Sequence, residues 1–146
     1  MKADLERISE NFGALMDGVK KVEMAETDEG ATYVLIDGEA AVFQVEGEYF
    51  PTVRGALKID VDRRFVTVDR GAVPFVTNGA DIMRPGIVAF DEGIKAGDLV
   101  VIKEETHGKP IGIGRALLDG DGLKAQETGK SVKSILYVGD SIWNLK

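Results

Sequence analysis

In residues 2–18, Leu5, Ile8, Phe12, Leu15 and Met16 fall at helical spacing, with Asp4, Glu6, Arg7 and Glu10 filling the other positions. Apolar side chains on one face and charges on the other predict an amphipathic helix. Past Gly18 the period shortens to two, with Val22 and Met24 set against Lys21 and Glu23, the pattern of a half-buried strand. Residues 27–30 form a turn cluster. Residues 31–36 and 40–45 are strand-like, and Asp37-Gly38 between them is a strong two-residue hairpin signal. Gly47 ends the second of these strands. Residues 50–58 suggest a short helix with Pro51 in its first turn, which would set Val53 and Leu57 on one face.

The second half is mostly strands. Residues 63–69, 86–90, 99–103, 110–118 and 132–138 each carry a short apolar or alternating pattern. Two short helices fit between them, over residues 71–78 and 123–126, the first ended by Gly79. His107-Gly108-Lys109 has the character of a hairpin turn. Of Ile82 and Met83 one must point into the core, and Met83 is the candidate for the exposed one. Five to six short strands punctuated by glycine predict a small barrel. The 18 glycines fit this, because tightly curved strands need positions without side chains. A short charged stretch at residues 60–64 is the natural boundary. It divides the chain into a small α+β domain, residues 1–62, and a mostly-β barrel, residues 63–146.

Composition narrows the functional classes. The chain has 146 residues and no cysteine, which excludes disulfides and thiolate metal sites and makes a reducing, cytoplasmic setting the expectation. No apolar run approaches the roughly 20 residues of a membrane span, and the charged N-terminus does not resemble a signal peptide. The net charge is −7. Residues 1–65 hold 8 basic and 14 acidic side chains, a balance of −6, and residues 66–146 hold 10 and 11, a balance of −1. The acidity belongs to the first half, which suits a protein partner better than a polyanion. The second half is nearly neutral and has room for a local basic patch.

Residues 68–87 read VDRGAVPFVTNGADIMRPGI. This stretch resembles the signature of PUA domains, the RNA-binding module named for pseudouridine synthases and archaeosine transglycosylases. Later pieces agree in order: Gly97-Asp98 followed by LVVIKEE, IGIGRA at residues 111–116, and Gly139-Asp140-Ser141-Ile142-Trp143. Residues 36–58, IDGEAAVFQVEGEYFPTVRGALK, resemble the segment before the PUA domain in the malignant T-cell-amplified sequence family. The resemblance implies a PUA pseudobarrel behind a pre-PUA domain. It implies a non-catalytic protein of archaeal or eukaryotic type that acts at the small ribosomal subunit, in initiation or recycling. Its expected partners are structured RNA (rRNA or tRNA) and a translation factor or ribosomal surface met by the acidic first domain.

In PUA domains the short helix and the strand after it form the RNA-contacting face. The resemblance carries that role to Arg70, Gly71, Asn78, Gly79, Arg84, Pro85 and Gly86, with Lys130 and Lys133 extending the patch if the last strand lies beside it. The chemistry is consistent. A helix start offers free N–H groups to phosphate, arginine makes paired bonds to it, and duplex RNA is recognised largely by shape and backbone contacts. Plainer roles compete. The glycines and Pro85 also suit turns, Asn78 suits a helix end, and Arg70 and Arg84 are placed to pair with Asp69 and Asp81.

Catalytic, metal and cofactor sites are not expected. His107 is the single histidine, no nucleophile–base pair is visible, and Gly112-x-Gly114 lacks the third glycine and following helix of a nucleotide fingerprint. Trp143 reads as a core plug at the barrel end. Two rival functions are an accessory RNA-binding module for a separate RNA-modifying enzyme, and a protein-interaction module without RNA affinity.

Overall fold

The computed structural model describes residues 20–26 and 31–145. The helix expected over residues 2–18 and the turn at 27–30 lie outside the described residues. The first sheet contains β1 (Val22–Glu26), β2 (Thr32–Ile36), β3 (Glu39–Val45) and β4 (Glu48–Pro51), paired antiparallel in chain order. Two tight turns set its register. Asp37 and Gly38 have φ of 49° and 86°, and Glu46 and Gly47 have φ of 51° and 81°. Paired positive φ values match the right-handed twist of the flanking strands. The Asp37 carboxylate also accepts from the backbone N–H groups of Lys20 (2.9 Å) and Lys21 (2.8 Å).

The helix expected from residue 50 begins later. Phe50 and Pro51 complete β4, and the helix α1 covers only Val53–Ala56. β4 is an outer strand of its sheet, where the missing proline N–H costs little. Phe50 is fully buried and packs edge-on against Phe43. Thr52 caps α1: its Oγ1 accepts from Gly55 N and donates to Ala40 O at 2.6 Å. A Cβ on Gly55 would stand 1.9 Å from Ala41 O, so α1 lies directly on the backbone of β3.

The second sheet has six strands: β5 (Phe65–Val68), β6 (Ile82–Met83), β7 (Ile87–Phe90), β8 (Leu99–Glu104), β9 (Pro110–Ala116) and β10 (Lys130–Tyr137). Their order is β6-β10-β9-β8-β5-β7. β5 and β8 run parallel, and the other neighbours are antiparallel. The two outermost strands, β6 and β7, are joined by a single 3-10 turn, Arg84–Gly86. That short connection draws the ends of the sheet together and makes the curled pseudobarrel of a PUA-type α+β fold. The helices α2 (Val73–Val76) and α3 (Gly120–Ala125) pack Val76 and Leu123 into its core. Glycine permits the curl: on β9 a Cβ at Gly114 would meet Val132 Cγ1 at 2.4 Å and Lys133 O at 2.7 Å.

The apolar residues gather in two cores. Val66, Val68, Val100, Ile102, Ile111 and Val132 belong to the barrel interior. The other core joins Val34, Phe43 and Phe50 of the first sheet to Leu99, Val101, Ile113 and Leu136 of the barrel strands. Alternate residues of β8 therefore point into different cores, and Leu99, Val100, Val101 and Ile102 are all 0% exposed. This explains why β8 reads in sequence as a continuous apolar run.

Candidate nucleic-acid interface

After β5 the chain turns through a 3-10 segment, Arg70–Ala72, into α2. Asp69 caps this start, its Oδ1 accepting from Ala72 N at 2.9 Å. A carboxylate thus occupies the position where the sequence had suggested a phosphate. Pro74 lies in the first turn of α2, as a residue without an N–H should. Only Val76 of α2 is buried, while Phe75 is 66% exposed. Gly79 ends the element with φ of 87°, and an added Cβ there would stand 3.0 Å from the Tyr137 ring. β6 then sends Ile82 into the core and leaves Met83 47% exposed.

Between α2 and the β6–Gly86 segment lies a cleft of about 510 Å³. Gly71, Ala72, Phe75 and Val76 form one wall; Ala80, Ile82, Met83, Pro85 and Gly86 form the other; Asp69 and Asp81 contribute the carboxylates. Gly86 matters for the closeness of these walls, since a Cβ there would come 3.4 Å from Ala72 Cβ. Gly71 has no such constraint, its nearest neighbour being Asp69 Oδ1 at 3.5 Å.

Three of the nine sequence-selected residues line this cleft, and three cations lie beside its lining. Gly71, Pro85 and Gly86 line it directly. Arg70 is exposed at the start of one wall. Lys130 pairs in register with Met83 on the other side and meets Asp81 at 3.2 Å. Lys133 is exposed on the same strand, near enough for its charge to act on Asp81. The Asp81 carboxyl is held below its usual range, first by the Ser134 backbone N–H (2.9 Å), then by Lys130 and Lys133.

Arg84, Asn78 and Gly79 occupy different settings. Arg84 Nε donates to Leu123 O (2.7 Å) and Nη1 to Ile87 O (3.1 Å), with the guanidinium 5.6 Å from the Phe90 ring centroid. It ties α3 and β7 to the closing turn and points its main donors into the protein. Asn78 is exposed at the end of α2, and Gly79 turns the chain over Tyr137. In place of the alternative pairing of Arg70 with Asp69 and Arg84 with Asp81, the structure pairs Lys130 with Asp81 and uses Asp69 as a cap. Sequence reasoning passed over Phe75 and the two carboxylates as parts of the site. The signal for Phe75 was the run Val73-Pro74-Phe75-Val76, too apolar for a helix of this length to bury on one face.

Among the described residues no group of three or more His, Asp or Glu is placed to hold a metal ion. His107 is exposed in the β8–β9 hairpin, where its N–H donates to Glu104 Oε1 at 2.6 Å. No described helix is long and apolar enough to cross a membrane.

Comparison with known proteins agrees with this architecture. The family model of the PUA domain matches residues 64–137. The chain is 42% identical to an uncharacterized protein of Methanocaldococcus jannaschii, across 100% of this chain and 90% of that one. It is 28% identical to translation machinery-associated protein 20 of Saccharomyces cerevisiae, across 94% of this chain and 80% of the relative. The crystal structure of a hypothetical protein of Pyrococcus horikoshii superposes with a TM-score of 0.82 at 36% identity, covering 97% of this chain and 90% of that one. Proteins named malignant T-cell-amplified sequence 1 are also among the relatives. The chain belongs to the PUA domain family, and translation machinery-associated protein 20 is among its relatives.

Proposed function

We propose that this protein binds structured RNA as a non-catalytic component of translation, through the face around the α2–β6 cleft. One observation carries this reading: Arg70 adjoins the lining residues Asp69 and Gly71, and Lys130 and Lys133 act on the lining carboxylate of Asp81, on a molecule whose overall charge is −7. Cations gathered at one place answer the long-range repulsion that such a charge would impose on a polyanion. The bare edge of Gly71 lets a ribose-phosphate backbone come close to the wall. Arg70, Lys130 and Lys133 are the phosphate contacts in this reading, and Gly71, Pro85 and Gly86 are surface against which the RNA packs. Asn78 and Gly79 shape the end of the face, and Arg84 braces it from behind. The finer assignment is ribosomal or transfer RNA at the small ribosomal subunit, in initiation or recycling, with the acidic first sheet facing a protein. The name of the yeast relative, translation machinery-associated protein 20, supports the placement in translation.

The test is filter binding to tRNA and to small-subunit rRNA at two salt concentrations. The expected result is affinity that falls steeply with salt and is lost in the triple variant Arg70→Glu, Lys130→Glu, Lys133→Glu. Affinity no better than that of an acidic control protein overturns the reading.

A further inference from the structure

We infer that Asp81 is a specificity-determining residue of this face, an anion fixed between its lysines that withholds them from unstructured polyanions. The inference rests on the proposed RNA-binding role and goes on to say how the face chooses among polyanions.

Asp81 is not a loose surface ion. Its Oδ1 accepts from Ser134 N at 2.9 Å, which pins the carboxylate to the backbone of β10. Its Oδ2 lies 3.2 Å from Lys130 Nζ. The Asp81 side chain is 28% exposed and that of Lys130 is 62% exposed, so the carboxylate is the inner, anchored member of the pair. Lys133, one residue before Ser134 on β10, adds its field to the same carboxylate. Asp81 also lines the cleft itself. One fixed negative charge thus stands beside two positive ones, at the place where phosphate must come to use them.

This arrangement separates two kinds of ligand. A flexible polyanion offers only charge, and at Lys130 it must compete with a carboxylate that is already in place. A folded RNA offers charge together with a surface that fills the cleft and reaches Arg70, so it can draw Lys130 away from Asp81 and still gain. Charge alone gives non-specific binding, and fit provides the difference between ligands. Weakening the charge term at Lys130 therefore raises the ratio of specific to non-specific affinity.

The experiment uses the full chain, with inorganic polyphosphate as the unstructured probe and tRNA as the structured one. In Asp81→Asn the amide oxygen can still accept from Ser134 N, so the local fold is preserved. Affinity for polyphosphate is expected to rise about fivefold, the effect of one unit charge a few Å away in a water-like medium, and to depend more steeply on salt. Affinity for tRNA rises less, so the ratio between them falls. Unchanged or weaker polyphosphate binding by the variant overturns the inference. A wild-type protein that binds no tRNA above the control overturns the RNA reading instead, and the polyphosphate comparison still reports on Asp81. A second pair of variants leaves Asp81 in place: Lys133→Met is expected to lose more polyphosphate affinity than Lys130→Met, because Lys130 is already paired. Equal losses from the two contradict the inference.

Discussion

The Arg54 guanidinium lies 3.9 Å from the centroid of the Trp143 ring, and its Nε donates to the Trp143 carbonyl at 2.7 Å. The two residues are 89 positions apart, one in α1 beside the first sheet and the other in the closing turn of the chain. Asp140 presents Trp143 for this contact, accepting from Trp143 N at 2.7 Å and from Tyr137 N at 2.9 Å. Trp143 is therefore a clasp on the core shared by the two sheets rather than a plug of the barrel interior. Trp143→Ala is expected to cost roughly 2–4 kcal/mol, combining lost ring burial with the lost cation–π contact. Urea unfolding measures this, and tRNA affinity in the absence of urea should stay within twofold of wild type.

Glycines that look alike in sequence differ in tolerance. A Cβ on Gly120 would stand 2.0 Å from Glu92 O, a backbone atom that cannot turn aside, whereas the nearest neighbour at Gly71 is 3.5 Å away. Gly120→Ala should destabilise the protein by about 3 kcal/mol or more through forced movement of the α3 start. Gly71→Ala should fold with a melting temperature near that of wild type. Comparable melting temperatures for both variants would show that the Gly120 site can relax.

Arg84 gives a third prediction. Lysine cannot make the fork that reaches both Leu123 O and Ile87 O. Arg84→Lys is expected to lose about 1–3 kcal/mol in denaturant titration, with little change in tRNA affinity at full folding. A loss of affinity without a loss of stability would move Arg84 from brace to contact.

Asp81 also predicts an acid dependence. Its carboxyl is lowered in the folded protein from the ordinary value of 3.8, foremost by the Ser134 N–H. A depressed carboxylate contributes stability that is fully present above its unfolded pKa and is lost as pH falls through the folded one. The melting temperature of wild type should exceed that of Asp81→Asn at pH 7, and the gap should narrow below about pH 3.8. A gap that persists undiminished at pH 2 would assign the difference to packing.

Much of this was legible in the sequence because local signals and tertiary context agree. Asp37-Gly38 gives a hairpin between the two strands that flank it, and β8 is apolar from Leu99 to Ile102 because both of its faces are covered there. Residues 50 and 51 misled because proline fits a first helical turn as well as an outer strand, and only the pairing of β4 with β3 decides between them. The cations proposed for the site follow from their motif and their place in β10. Their partners do not, because the Lys130–Asp81 contact spans 49 residues and depends on how β6 meets β10. Arg84 shows the same limit: its type fitted phosphate, but the nearest oxygens were backbone carbonyls of its own chain.

Leu99 and Val101 turn outward from the barrel to fill the space under the first sheet, while Val100 and Ile102 turn inward. A strand buried on both sides contributes to both cores at once. The first sheet is thus seated on the barrel through one shared apolar core, as a ruler rather than a tether.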